Sequence, residues 1–213
     1  MKILCISDIH GDIEKIENLK GINPDLILIA GDLTNFGGKQ EANLVLNELF
    51  KISNNILAIP GNCDYYEVLE LLEEKNISVH GKGVKIGEIG IFGVGGSNPT
   101  PFSTPFEISE NQIYELLKKG YEEIKDCKIK ILLSHAPPYG ILDKISSGIN
   151  VGSKAIREFL EKNKIDYLIC GHIHEACGDT KFNNTIAINP GIFSKGCYIL
   201  DIKENKLERI SFE

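Results

Sequence analysis

The amino-acid sequence predicts an α/β fold, and three observations carry that expectation. Apolar runs of strand length alternate with stretches of helical periodicity over most of the chain. The order near the start is βαβαβ, which requires parallel strands joined by crossover helices. Beyond residue 184 the helical pattern stops and only strand-like runs remain.

Lys2–Ser7 reads as the first strand. Gly11–Lys20 reads as an amphipathic helix, with Ile13, Ile16 and Leu19 on one stripe. Asp25–Ala30 is a second, fully apolar strand, and Gln40–Ile52 a helix with Leu44, Val45, Leu49 and Ile52 at helical spacing. Ile56–Pro60 is a third strand and Tyr65–Lys75 a third helix; Val84–Val94, broken by Gly87 and Gly90, reads as a hairpin. Gly95–Ile108 holds Pro99, Pro101 and Pro105 with Phe102 and Phe106. Its prolines exclude a helix or a central strand. That leaves a packed surface loop or a substrate-facing wall. Ser109–Tyr121 (helix), Lys128–Ser134 (strand), Ser153–Asn163 (helix) and Asp166–Gly171 (strand) resume the alternation. Thr185–Asn189, Cys197–Ile202 and Lys206–Ser211 suit a meander completing a second sheet. Without a linker or an internal repeat, residues 1–213 are expected to form a single domain.

The chain carries a net charge of −7, with 42% hydrophobic and 25% charged residues. That balance lacks the basic footprint of a protein that grips nucleic acid by its backbone. It does not exclude a phosphate substrate, because bound divalent cations can make one pocket positive. Cys5, Cys63, Cys127, Cys170, Cys177 and Cys197 form no C-x-x-C pair, which argues against a zinc knuckle; Cys5 and Cys170 sit in apolar runs and read as core residues. The opening residues already read as a working strand, which leaves no room for a signal peptide. No apolar run approaches the ~20 residues of a membrane-spanning helix. The expected location is the cytoplasm.

The chemistry sits where the strands end. Asp8 and His10 follow the first strand, Asp32 the second and Asn62 the third; His135 and the pair His172 and His174 follow two later ones. In open α/β sheets ligands bind beyond the carboxyl ends of the strands. Asp8 and His10, like His172 and His174, are two residues apart, so an extended segment points both at one centre. Gly11, Gly31, Gly61 and Gly171 flank these residues and allow close backbone approach. Carboxylate, amide and imidazole donors together suit Mn, Fe, Zn or Ni better than Ca or Mg. The fifth histidine, His80, receives no role. Gly93-Val94-Gly95-Gly96 opens no helix and does not read as a dinucleotide site.

Taken in order, Asp8-x-His10, Gly31-Asp32, Gly61-Asn62-Cys63-Asp64, His135 and Gly171-His172-x-His174 resemble the calcineurin-like metallophosphoesterase superfamily. The resemblance implies a four-layer α/β/β/α sandwich of two mixed sheets and a dinuclear site. It implies that Asp8, His10, Asp32 and His174 bind one divalent ion and Asp32, Asn62, His135 and His172 the other, with Asp32 bridging. Manganese is the ion it favours. The implied catalytic residues are Asp32, Asn62 and His135, around in-line attack by a metal-bridging hydroxide on a small phosphodiester or nucleotide.

Two departures refine this. Protein phosphatases of the superfamily carry arginine after the G-D motif, whereas this chain continues Leu33-Thr34-Asn35, and its two arginines, Arg157 and Arg209, lie outside every motif. Two divalent ions, two aspartates and a hydroxide leave a site charge of about +1, which balances a diester monoanion better than a monoester dianion. Cys63 stands where the superfamily usually has a histidine that protonates the leaving group; a thiol forms weak hydrogen bonds and has a pKa of ~8.5. The G-N-C-D form resembles a group of small bacterial and archaeal phosphodiesterases that work without that histidine. Good leaving groups are therefore expected to be favoured. Asp64 could orient neighbouring groups or cap the following helix, and the cap is the expectation. The alternatives are a phosphomonoesterase and a catalytically silent scaffold of the same fold. A homo-oligomer stays open.

Overall fold

The computed structural model describes residues 1–212. Eleven strands form two mixed sheets. The first is built from β1 (Lys2–Ile6), β2 (Leu26–Ala30), β3 (Ile56–Ile59), β10 (Gly196–Asp201) and β11 (Lys206–Ser211), in the order β11-β10-β1-β2-β3. The second contains β4 (Gly83–Ile86), β5 (Ile89–Val94), β6 (Ile129–Ser134), β7 (Tyr167–Ile169), β8 (Gly178–Phe182) and β9 (Thr185–Asn189), in the order β4-β5-β6-β7-β9-β8. Four α-helices accompany them: α1 (Lys39–Phe50), α2 (Tyr66–Glu74), α3 (Glu110–Ile124) and α4 (Lys154–Lys162).

Strand periodicity decides the layers. In β1, Ile3 and Cys5 face the second sheet, where Ile91, Ile131, Leu133 and Ile169 meet them. Leu4 and Ile6 face the other way, onto Val45, Leu46 and Leu49 of α1 and Val68 and Leu72 of α2. The outer face of the second sheet, with Phe92, Leu132 and Leu168, packs on Ile113 and Leu117 of α3 and Ile156 and Phe159 of α4. This is the α/β/β/α sandwich. Strands covered on both faces read as unbroken apolar runs, and burying each such side chain is worth about 1.5–3 kcal/mol. No helix among the described residues is long and apolar enough to cross a membrane.

Three expectations are corrected. The last strands do not form one meander. Thr185–Asn189 pairs parallel with β7 in the second sheet, whereas β10 and β11 return to the first, with β10 antiparallel to β1. The chain crosses between sheets at Pro190–Lys195, where Phe193 is fully buried and its N–H donates to the Asp8 carbonyl at 3.1 Å. The first helix is a short 3₁₀ segment, Glu14–Leu19. Its start is displaced because His10 (φ 49°) and Gly11 (φ 76°) hold left-handed torsions that a right-handed helix cannot include. Ile16 and Leu19 still share the buried face, as i and i+3 do in a 3₁₀ helix. Finally, α2 has no side-chain cap from Asp64; Tyr65 precedes it, and Asp64 is buried inside.

Segment 95–108 is a loop that staples itself. Ser97 bridges to Glu107, and the Glu107 carboxylate accepts from Thr100 and Thr104, backbone and hydroxyl alike, which holds its pKa down at about 2 against the pull of burial. Phe106 anchors it inside, and Phe102 is 81% exposed.

Candidate metal centre

All the polar segments singled out in the sequence lie at the carboxyl ends of β1, β2, β3, β6 and β7. Asp8 (φ 53°), His10 (φ 49°), Asp32 (φ 51°) and His172 (φ 69°) hold left-handed backbone conformations. Such torsions cost free energy in non-glycine residues and cluster at functional sites. The neighbouring glycines are needed for approach: a Cβ on Gly61 would collide with the Asp32 carboxylate, and one on Gly171 with Ser7 and Asp8.

The side chains converge. Ligand atoms of Asp8, His10 and His174 lie within 4.8 Å of one another, as do those of Asp8, Asp32 and His135. His174 Nε2 is 3.2 Å from Asp8 Oδ1, His10 Nε2 is 3.7 Å from Asp32 Oδ2, and His135 Nε2 is 3.5 Å from Asp32 Oδ1. Asn62 Oδ1 lies 2.8 Å from His135 Nε2. The His172 ring stacks obliquely on His135 with centroids 5.1 Å apart, and its backbone N–H donates to both Asp8 oxygens at 3.2 Å. Cys63 Sγ shares a 4.8 Å cluster with His10 and Asp32, while the Cys63 N–H donates to Asp32 Oδ1 at 2.8 Å.

Two observations show that this donor set fits cations. The first is the His135 ring. Nδ1 lies 2.7 Å from the Ala30 carbonyl, which can only accept, so Nδ1 carries the proton and Nε2 presents a lone pair. That lone pair faces another acceptor, Asn62 Oδ1. Two acceptors do not bond each other, but both can bind one cation, and a ring whose second nitrogen donates to a backbone carbonyl is the usual form of a metal-binding histidine. The second is His10. Both its ring nitrogens are shielded from solvent and make no geometrically sound hydrogen bond among the described residues.

The electrostatics agree. Burial, then repulsion from Asp8 and Asp64, pushes the Asp32 carboxyl well above its ordinary range. Burial pushes Asp8 the same way, but the hydrogen bond from His174, with His135 and Ser7 nearby, outweighs it and holds Asp8 low. Burial drives His172 down to about 3 and lowers His135, whereas the Asp8 hydrogen bond raises His174 against burial. The Cys63 thiol is pushed up by burial and then by the Asp32 charge. Two buried carboxylates, one pushed up by burial and its neighbours' charges and the other held low by its histidine hydrogen bond, form with the imidazoles a cage in which added positive charge is favoured.

Sequence reasoning gave Ser7 no role and favoured a helix cap for Asp64, yet both support the candidate ligands. The Ser7 hydroxyl donates to Asp8 Oδ2 at 2.5 Å. Asp64 accepts from the N–H groups of Gly61, Leu33 and Thr34 and from the Thr34 hydroxyl, tying the Asp32 loop to the Asn62 loop. Burial lifts its pKa to about 6 against those donors. The only signal for Ser7 was a hydroxyl closing an apolar strand.

A two-sheet α/β/β/α sandwich with carboxylates and imidazoles gathered at its strand ends is the architecture of a metallophosphoesterase. A profile described as calcineurin-like phosphoesterase matches residues 1–176, and the chain belongs to that family of phosphoester hydrolases. It is 38% identical over 213 residues to an uncharacterised protein of Methanocaldococcus jannaschii, covering 96% of this chain and 94% of that one. A solved archaeal phosphodiesterase aligns over 100% of both chains with 18% identity and a TM-score of 0.59. A dimetal phosphatase from Danio rerio aligns over 100% of this chain and 99% of its own with 10% identity and a TM-score of 0.62. Likeness at these low identities speaks for the fold alone.

Proposed function

We propose that this chain acts as a single domain that hydrolyses a small phosphodiester or nucleotide, using two divalent ions, with manganese preferred. Asp8, His10, Asp32 and His174 would hold one ion, and Asp32, Asn62, His135 and His172 the other. Ions held there supply an activated water and a clamp for in-line displacement at phosphorus. The observation that carries this reading is the pair of lone-pair donors, His135 Nε2 and Asn62 Oδ1, set 2.8 Å apart beside Asp32.

The chain's own groups fix the geometry. The Ala30 carbonyl orients the His135 ring; Ser7 and the His172 N–H hold one face of Asp8; Cys63 N–H holds one oxygen of Asp32. Preference for a diester is argued from the lack of an arginine clamp. Arg157 pairs with Glu161 and stacks on Phe182, and Arg209 lies on β11, so neither offers a guanidinium for the second charge of a monoester. With its thiol pushed up, Cys63 is a weak attacking group, and an unassisted leaving group must itself be acidic. The test compares hydrolysis of p-nitrophenyl phosphate and bis(p-nitrophenyl) phosphate with manganese added. The diester is expected to turn over faster; the reverse order overturns the charge argument, and no turnover of either favours the silent scaffold.

A further inference from the structure

Cys63 differs from the other cysteines in what surrounds its sulfur. Cys5, Cys127, Cys170 and Cys197 are buried, and Cys177 Sγ donates to the Pro190 carbonyl at 3.1 Å. Cys63 Sγ instead lies within 4.8 Å of ligand atoms of both His10 and Asp32, which are equally close to each other. No other cysteine sits in such a cluster among the described residues. The Cys63 backbone is pinned on both sides: its N–H donates to Asp32 Oδ1 at 2.8 Å, and its carbonyl accepts the Phe36 N–H at 3.1 Å. Asn62 then fixes the character of the sulfur. Its Oδ1 is turned to His135 Nε2 at 2.8 Å, and its Nδ2 donates to Cys63 Sγ at 3.7 Å, so the sulfur is an acceptor. Hydrogen bonds of that kind support and tune ligating sulfurs. On the far side of the cluster, both His10 ring nitrogens are shielded from solvent and make no geometrically sound hydrogen bond among the described residues. A hydrogen bond from the thiol to Asp32 accounts for the sulfur's place but not for those nitrogens, and thiols form only weak hydrogen bonds.

We propose that the Cys63 sulfur is a further ligand of the ion held by His10 and Asp32, and that it biases this side of the centre toward a thiophilic divalent ion such as zinc. This rests on the two-ion reading above and adds a donor to one of its two sets. A divalent ion deprotonates a thiol it binds, and the proton leaves to solvent. Thiolate donors select zinc, whereas a harder ion such as manganese gains little from them. The His135 side, with only oxygen and imidazole donors, is then the side suited to manganese. Asn62 serves both sides, its oxygen turned to one and its amide nitrogen to the sulfur of the other.

The test loads the metal-free chain with cobalt, which reports a bound thiolate as a sulfur-to-metal charge-transfer band in the near ultraviolet. The parent is expected to show the band. Cys63→Ser keeps the size of the side chain and should lose it, while Cys177→Ser, at the other half-buried cysteine, should keep it. Calorimetric titration gives the selectivity: Cys63→Ser should weaken zinc binding by about ten-fold or more and leave manganese binding nearly unchanged. Retained manganese binding also shows that the variant is folded. No band in a parent that binds two ions, a band that survives Cys63→Ser, or equal weakening of zinc and manganese overturns the sulfur ligand and leaves the two-ion reading standing. A parent that binds no ion overturns both.

Discussion

The two halves of the centre are built by opposite means. Around His135 everything is closed: the residue is fully buried and both ring nitrogens face fixed oxygens. Around His10 and His174 the centre is open: their side chains are 19% and 39% exposed, and the His10 nitrogens have no sound hydrogen-bond partner among the described residues. Asp8 belongs to the open half but is itself locked from behind by Ser7 and the His172 N–H. The difference teaches where the cost of ordering falls. The closed half is fixed by a backbone carbonyl, whereas in the open half His174 is held only through the Asp8 side chain and His10 by no hydrogen bond among the described residues. Preorganisation favours tighter, slower-exchanging binding. On the proposed ligand assignment, the ion nearest His135 should be held more firmly than the ion nearest His174.

The largest expected effect removes the residue common to both halves. Asp32→Asn should lower turnover by about a thousand-fold or more, since metal and electrostatic contributions are lost together. Metal analysis should show weakened binding at both sites; wild-type rate and metal content would dismantle the assignment. Next, His135→Ala and His174→Ala should part company. The first leaves a cavity in the interior and is expected to cost metal and about 2 kcal/mol or more of stability. The second should cost metal with little change in the denaturant midpoint. Equal stability losses would erase the distinction between halves. Stepwise chelation of the loaded protein, followed by metal content, should show one ion leaving well before the other.

A smaller effect probes the lock on Asp8. Ser7→Ala should weaken one of the two ions by about ten-fold, as loss of a group supporting a ligand typically does; calorimetric titration of manganese measures it. Cys63→His should raise monoester turnover a few-fold, and no change would show that leaving-group protonation does not limit the reaction.

A separate effect, on stability rather than turnover, shows what burial does to an imidazole outside the centre. His80 accepts the Gly95 N–H at Nδ1, and burial pushes its pKa down to about 4. The folded protein keeps it neutral while the unfolded chain protonates near 6.5. Its contribution is therefore intact above about pH 6.5 and is lost as pH falls toward 4. His80→Asn, which keeps an acceptor but cannot titrate, should flatten the acid side of the stability profile by on the order of 2 kcal/mol. Denaturant midpoints at pH 7 and pH 5 decide it.

The same contrast runs through what could be read from the chain. Apolar runs such as Leu26–Ala30 announced strands buried on both faces, and polar residues beyond them announced the centre, because both signals are local. β8, Gly178–Phe182, gave no such signal: it is a polar edge strand whose identity comes from its antiparallel partner β9. Asp64 sat before a helix and looked like its cap, yet Gly61, Leu33 and Thr34 claim it.

The sequence alone determined which residues line the strand ends, through two-residue periodicity and the polar groups that interrupt it. Only the tertiary structure decided that β10 and β11 rejoin the first sheet, that Ser7 holds Asp8, and that Asp64 ties the Asp32 loop to the Asn62 loop. The reason is physical. Periodicity says which face of a strand is buried, but the sheet it joins, and the hydrogen bonds a buried carboxylate finds, are settled by packing between segments far apart in the chain.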